Sequence, residues 1–319
     1  LDHEKYNFDA GITINETLTT KKSSDRFDYV PFYYNYDKGF EIAKLPGFFN
    51  FYSKGNNTLS NTNNLTSEVL NDINFQSNDY ITKNGFKNNI NIYYKNFNTI
   101  AKKHNTIKNS PTIRFDNIYE FVSSWPLNKS TINYDNTIIP KVSYRINPNS
   151  MNDVSGASRR VLYNNVFNIN RLNINESFED GQSLTLGANY IKESIQNSST
   201  KFDYGIATVL RDEKSNKIPI SSTINEKNSN IFGSFRNSFN KNFSLNFNFS
   251  IEDDLNTLNY NQITSTISVN NFVTTFNFIE ENTDTSDVNT ISNSTTYKFD
   301  DKNYFSFETR RNRKINLTE

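Results

Sequence analysis

Apolar and polar residues alternate without a break in several short segments of this chain. In Phe243–Ile251, five apolar residues are separated by Ser, Asn, Asn and Ser, and residues 6–14 show the same alternation. Successive side chains of a β-strand point to opposite faces, so each segment would have one apolar and one polar face. The pattern predicts a chain built from amphipathic strands.

The same alternation recurs along the whole sequence. The further segments are 113–121, 142–146, 161–169, 184–190, 202–206, 263–269, 272–278 and 305–309. They are rich in Thr, Tyr, Phe and Ile, which favour strands, and no segment has the 3.6-residue period of an amphipathic helix. We therefore expect an all-β fold of about 14–16 antiparallel strands, at roughly 20 residues for each strand and its loop.

The composition favours strands that cross a membrane. Mean hydropathy is only −0.72, yet aromatic residues make up 14% of the chain, with 27 Phe and 18 Tyr. No apolar run approaches the ~20 residues of a membrane-spanning helix, but a barrel strand needs only about 10 alternating residues. We expect residues 1–319 to form one outer-membrane type, antiparallel transmembrane β-barrel region with no second domain.

Connection lengths alternate in the last third of the sequence. Long polar connections are expected at 211–229, 252–257 and 280–289, and short turns at 240–242, 270–271 and 300–303. Outer-membrane barrels have this arrangement, with short turns on the periplasmic side. Further turn signals are 37–39, 84–85 and 180–181, and the polar stretches 55–64 and 147–160 are expected to be loops.

The sequence gives no sign of a catalytic, cofactor or metal site. It has no Cys and two distant His residues, His3 and His104, which are expected at exposed loops or strand ends. The carboxylates at 252–254 and 280–281 are expected to be solvated loop charges. The formal net charge is zero, so nucleic acid is not an expected partner. Asn is roughly one residue in six, which fits either a polar lining or biased base composition.

Two basic clusters have two interpretations. Arg159 and Arg160 close a long polar stretch, and residues 310–314 carry three Arg and one Lys. Arg binds lipid headgroups or phosphates well, but the same residues could simply balance nearby acidic groups.

Four blocks of sequence resemble the barrel region of the LptD family of lipopolysaccharide-assembly proteins (organic solvent tolerance proteins). They are IPKVSYRINP at 139–148, VFNINRL at 166–172, EDGQSLTLGANY at 179–190 and TRRNRKINLTE at 309–319. The positions that match family motifs, with no proven role, are Pro140, Arg145, Pro148, Asn170, Arg171, Asp180, Gly181, Gly187, Arg310, Arg311 and Asn312.

The resemblance implies a translocon component that inserts lipopolysaccharide into the outer leaflet of the outer membrane of a Gram-negative cell. It implies no enzymatic activity, and it implies lipopolysaccharide, an LptE-like plug lipoprotein and an LptA-like periplasmic bridge protein as partners. The family carries a periplasmic jellyroll and a cysteine pair that this sequence lacks, so the resemblance implies a partial chain that forms an incomplete part of a larger barrel. Gate residues and lipopolysaccharide contacts are not carried over.

Two alternatives stay open at the level of sequence. A general porin or uptake barrel would share the strand pattern. A secreted, β-rich adhesin would bury the apolar faces in a core and stay soluble without detergent.

Overall fold

A computed structural model describes residues 2–3, 6–16, 27–60, 64–102, 112–197, 200–283, 286–300 and 302–318. Within these residues nearly all regular structure is β-strand. In chain order the strands are β1 Asp2–His3, β2 Tyr6–Glu16, β3 Phe27–Ile42, β4 Leu45–Ser60, β5 Asn64–Ser77, β6 Tyr80–Ile81, β7 Lys87–Lys102, β8 Thr112–Ser124, β9 Leu127–Ser130, β10 Tyr134–Asn147, β11 Gly181–Ser194, β12 Lys201–Arg211, β13 Ile231–Asn240, β14 Phe243–Ile251, β15 Leu258–Val269, β16 Phe272–Thr283, β17 Ser286–Lys298, β18 Tyr304–Asn312 and β19 Leu317–Thr318.

These strands form one antiparallel sheet in which each long strand pairs with the next along the chain. The short strands β6 and β9 continue the ladders of β5 with β7 and of β8 with β10. The main pairings are therefore β5 with β7 and β8 with β10. With β1, β6, β9 and β19 set aside, fifteen strands of nine to sixteen residues remain, within the expected 14–16. Among the described residues no ladder joins β2 to β18, and the sheet is open.

Helical structure is almost absent. The described residues contain a short 3-10 turn at Ile220–Ser222. No helix in this part of the chain combines the length and the apolar character needed to span a membrane.

The prediction of a strand at residues 161–169 is wrong. The structure has a series of turns there, in which the Leu162 N–H donates to the Asn165 side chain (2.8 Å) and the Val166 N–H donates to the Leu162 carbonyl (2.9 Å). Val161 and Val166 are fully buried in a small core. The apolar residues of this segment therefore fill a space between loop and sheet, which a two-residue period does not reveal.

Three expected turns or loops are also wrong. Residues 37–39 lie inside β3, because Asp37 is paired with Asn7 on one side and Tyr52 on the other. Residues 280–283 and 286–289 belong to β16 and β17, and residues 55–60 and 64 to β4 and β5. Ladder pairing with neighbouring strands outweighs the local preference of Asn, Asp and Thr for turns.

Other expectations are confirmed. The connections at 212–230 and 252–257 are long, and the turns at 241–242 and 270–271 are tight. The turn at 84–85 forms with Gly85 at a φ of +84°. His3 lies in β1, and His104 lies outside the described residues.

The two faces of the sheet differ in chemistry. On β8, Asp116 and Glu120 are buried on one face, while Phe115 and Tyr119 are 58% and 43% exposed on the other. Large side chains exposed on this apolar face include Ile90, Tyr94, Ile113, Phe121, Ile138, Val142, Tyr144, Ile263, Ile267, Phe276, Phe305 and Phe307. The opposite, polar face carries buried Lys95, Ser143, Arg145, Ser183, Thr185, Arg211, Ser234 and Ser250.

The hydrophobic core lies between the polar face and two long connections, residues 148–180 and 212–230. We call residues 148–180 the inserted segment. The buried cluster takes members from both connections and from β12 and β13, namely Met151, Val161, Val166, Leu172, Ile174, Ala207, Val209, Ile218, Ile224 and Phe232. Burial of apolar area thus holds both connections on the sheet, and it covers the polar face rather than the apolar one.

Candidate functional site

Strand register aligns polar side chains into a row across the polar face. Asn91 of β7 lies opposite Glu120 of β8, which lies opposite Arg145 of β10. Arg145 lies opposite Ser183 of β11, which lies opposite Arg211 of β12. Directly opposed residues in antiparallel strands have Cβ atoms about 5 Å apart, so the row brings charged groups from three strands, β8, β10 and β12, within reach of each other.

Glu120 and Arg145 form a buried ion pair in this row. The Arg145 Nε donates to Glu120 Oε1 (2.8 Å), and both side chains are about 2% exposed or less. Ser143 Oγ donates to the same carboxylate oxygen (2.5 Å), and Asn91 Nδ2 donates to the other (2.8 Å). A buried charge needs a partner and hydrogen bonds to offset its lost hydration, and Glu120 has both.

The inserted segment adds Arg171 and Glu179 to the row. Arg171 forms a bidentate pair with Glu179 (Nε to Oε2, 2.7 Å; Nη2 to Oε1, 2.5 Å) and donates to Thr185 and Ser183 on β11 (3.0 and 3.1 Å). Arg211 Nη1 also donates to Glu179 Oε1. We call Glu120, Arg145, Arg171, Glu179 and Arg211 the charge cluster; it ties the inserted segment to four strands.

Electrostatics keeps Glu179 ionised. Burial raises the pKa of Glu179, but the guanidinium groups of Arg171 and Arg211 outweigh burial and hold the pKa at about 2. Arg145 lowers it further. One carboxylate therefore balances two directly bonded Arg residues, one from the inserted segment and one from β12.

A second charged row lies beside the charge cluster. Asp72 of β5, Lys95 of β7 and Asp116 of β8 are directly opposed. Lys95 Nζ lies 3.5 Å from Asp72 Oδ2 and donates to the Asn175 carbonyl (2.8 Å). The Phe178 N–H donates to Asp116 Oδ2 (2.7 Å). These charges bind the backbone of the inserted segment directly.

The inserted segment also reaches the later strands. Arg160 pairs with Glu281 of β16 and stacks over the ring of Tyr260 on β15 at 4.3 Å. Glu281, expected as a solvated loop charge, is 4% exposed within a strand. Its neighbour Glu280 also lies in β16, while residues 252–254 follow β14 as a loop.

The structure brings three of the family-motif residues together. Arg145 and Arg171 belong to the charge cluster, and Asp180 lies beside it, 3.6 Å from Arg211 and 3.8 Å from Lys217. Asp180 also accepts a hydrogen bond from Ser215 (3.2 Å). Asp180 thus joins the inserted segment to the second long connection.

Three further motif residues shape the backbone around the charge cluster. The Asn170 side chain accepts from the Ile174 N–H (3.1 Å) and donates to the Ile174 carbonyl (3.0 Å), which closes a turn. Gly181 begins β11 at a φ of +75°. At Gly187 a Cβ would lie 2.8 Å from both Phe167 Cζ and the Ile206 carbonyl oxygen, so only glycine lets Phe167 pack against β11.

The remaining motif residues lie elsewhere. Pro140 is exposed within β10, and Pro148 is exposed just after it. Arg310 and Arg311 are exposed on β18. Asn312 accepts from the Lys314 N–H (3.0 Å) and so closes the β18–β19 turn. No contact joins these residues to the charge cluster within the described part of the chain.

The sequence alone did not identify Glu120, Arg211, Lys95 or Asp116 as site residues. Each is a charged residue at a polar position of an alternating strand. Asp116 and Glu120, for example, alternate with Phe115, Tyr119 and Phe121. This alternation predicts that the charged residues lie on the polar face. Which of them form ion pairs depends on the register between strands. Within the described residues, no group of three or more His, Asp or Glu could hold a metal ion.

Comparison with known proteins adds no identification. No protein-family model matches the chain, and no curated protein matches it either.

Replacing Glu179 tests the charge cluster. We expect Glu179→Gln to leave Arg171 without a counter-charge and Arg211 with only Asp180, 3.6 Å away, and to lower the free energy of unfolding by about 3–5 kcal/mol. The matched control is Glu213→Gln in the second connection, because Glu213 is exposed and its loss should cost less than about 0.5 kcal/mol. Urea unfolding of both variants, with proteolysis of residues 148–180 as a local readout, measures this. Equal stability of the two variants would contradict the role of Glu179.

Acidification gives an independent check. The pKa of Glu179 is about 2 in the folded chain against a reference value of 4.5. Because it is depressed, the ionised carboxylate stabilises the docked segment above the reference value, and this contribution is lost as pH falls towards 2. We expect stability to drop by roughly 3 kcal/mol between pH 5 and pH 2 from this group. Glu179→Gln should lack that component; an identical acid profile for the variant would contradict it.

Proposed function

We propose that this chain forms the wall of an outer-membrane β-barrel that delivers lipopolysaccharide to the cell surface. The observation that carries the membrane part is the two-faced sheet. Phe121, Ile263 and Phe276, from three different strands, are 45%, 40% and 48% exposed on the apolar face. Soluble monomers rarely expose contiguous apolar patches beyond a few hundred Å², and lipid is the surrounding that suits such a face.

The position of the inserted segment supports a sheet that curves. This segment contacts Lys95 on β7 and Glu281 on β16, which are eight strand intervals apart in the order of pairing. Neighbouring strands are about 4.8 Å apart, so these strands would lie roughly 38 Å apart in a flat sheet. One turn-rich segment reaches both more readily when the sheet wraps around it, as the wall of a barrel does.

The lipopolysaccharide part rests on the resemblance to the LptD family. The sugar head of this lipid cannot enter hydrocarbon cheaply, because each unpaired polar group there costs several kcal/mol. A wall with apolar residues outside and Asn, Ser, Thr and charged groups inside offers the head a hydrated path where the inserted segment and residues 212–230 leave the polar face uncovered, while acyl chains stay in the membrane. Amides suit such a path because they both donate and accept hydrogen bonds.

The covered polar face separates this proposal from a general porin. A porin keeps a water-filled channel along its polar face, whereas here the inserted segment and residues 212–230 pack there with fully buried Val166, Ile218 and Ile224. The exposed aromatic residues separate it from a soluble adhesin, which would bury those rings in a core.

A pair of neighbouring substitutions tests the membrane assignment. Phe276 and Thr275 are adjacent on β16 and point to opposite faces, Phe276 to the apolar face and Thr275 towards Thr266 on the polar side (3.2 Å). We expect Phe276→Lys to cost about 2–4 kcal/mol of insertion free energy near the bilayer midplane and Thr275→Lys to cost far less. Flotation of the refolded chain with lipid vesicles measures insertion. Equal insertion of both variants would contradict a lipid-facing apolar face.

Depletion in the native cell tests the transport assignment. Loss of the full-length protein should stop newly made, pulse-labelled lipopolysaccharide from reaching the cell surface, because no hydrated path remains for its head. A porin would instead change solute uptake and leave the surface fraction of lipopolysaccharide unchanged, and that outcome would contradict the proposal.

A further inference from the structure

A cluster of aromatic and cationic side chains lies on the apolar face at the end of the sheet that carries the short turns. Along the apolar face of β11 the side chains run from Leu186 through Tyr190 to Lys192. Lys192 lies two residues before the strand ends at Ser194. Tyr190 packs edge-on against Phe202 of β12 (5.7 Å between ring centroids), and Phe202 packs edge-on against Phe235 of β13 (5.1 Å). The face thus changes from aliphatic to aromatic to cationic within about 20 Å, at 3.3 Å per residue.

Tyr190, Lys192 and Phe202 line an open cleft of about 440 Å³. Its lining is half aromatic and half polar, comprising Tyr134, Tyr190, Phe202, Phe239, Lys192, Lys201, Thr200 and Asn237. Lys192 Nζ lies over the Tyr134 ring at 4.2 Å, which holds the long side chain along the wall. Lys192 makes no ion pair within the described residues, while Lys201 lies 3.8 Å from Glu193. Lys192 is therefore the cation of the cleft available to a ligand.

We propose that this cleft binds the phosphate-bearing headgroup of an anionic glycerophospholipid. The inference rests on the proposed membrane location. In outer-membrane barrels the short-turn end faces the periplasm and aromatic girdles mark the interface, so the cleft lies at the level of inner-leaflet headgroups. A lysine on an aromatic support at that level reaches the phosphate with its ammonium group, and Tyr190 and Phe202 contact the upper acyl chain.

The occupant follows from the combination of groups. A free phosphate would need only the cation, and a neutral detergent only the rings. Within the described residues, the cleft offers one unpaired ammonium group among four rings: Phe202 is level with Lys192, Tyr190 lies nearer the middle of the strand, and Tyr134 and Phe239 lie nearer the turns. A cation beside this much apolar surface matches a lipid with a negative head and an apolar body. A single lysine near a charged lipid surface contributes about 1 kcal/mol, or about fivefold in affinity.

Native mass spectrometry of the full-length protein in detergent tests the cleft. Phosphatidylglycerol and phosphatidylcholine with identical acyl chains are titrated in parallel. We expect phosphatidylglycerol to be retained several-fold better, and Lys192→Gln to reduce this preference about fivefold. Lys192→Arg should keep the preference. The matched control is Lys302→Gln, which removes the same charge from the same end of the sheet, in an exposed turn outside the cleft.

Each other outcome overturns the inference. Equal retention of the two lipids, or equal effects of Lys192→Gln and Lys302→Gln, would rule out headgroup recognition here. Competition by inorganic phosphate at equal concentration would indicate a phosphate site rather than a lipid site. A chain that binds neither detergent nor vesicles would contradict the membrane proposal itself, whereas a chain that inserts but does not discriminate lipids contradicts only the cleft.

Discussion

Strand register is the constraint on which the structure depends. Because side chains alternate between faces, a slip of one residue in β8 would move Glu120 and Asp116 onto the apolar face and Phe121 onto the polar face. Such a slip would separate Glu120 from Arg145 and expose buried charges to an apolar surrounding at high cost. The apolar pattern and the charge cluster therefore specify the same register, and each reinforces the other.

The inserted segment depends on this register for its contacts with the sheet. Its Arg171 and Glu179 can form their hydrogen bonds with β11 and β12 only if Ser183 and Arg211 lie side by side. Burial of the segment removes Arg171 from water, so the ion pair is strong when complete and costly when broken. The inserted segment thus stabilises the sheet through contacts with the polar face alone. The apolar face makes no use of this segment and is left for a different environment.

Most of the strands could be predicted from sequence. The two faces of each strand meet different surroundings, so polar and apolar residues alternate along it. The failures share a physical cause. Residues 161–169 alternate in polarity but fill a core beneath a loop, so their burial does not derive from a sheet face. Residues 37–39, 280–283 and 286–289 have turn-like composition, yet pairing with neighbouring strands holds them extended.

The candidate site could be predicted only in part. The resemblance drew attention to Arg145, Arg171 and Asp180, which the structure brings close together. Their partners Glu120 and Arg211 lie on other strands, and their distances depend on pairings that are 25 and more residues apart in sequence. Side-chain chemistry alone does not fix such pairings; the summed register of several ladders does.

The most direct test of the two-faced wall is a spin-label scan along β7 (Lys87–Lys102) in lipid bilayers. The chain has no Cys, so single cysteines can be introduced without a background signal. The account predicts that accessibility to dissolved oxygen, which concentrates in lipid, is high at Ile90, Ile92 and Tyr94 and low at Asn91 and Tyr93. Oxygen accessibility that does not alternate along the strand, or that peaks at Asn91 and Tyr93, would contradict it.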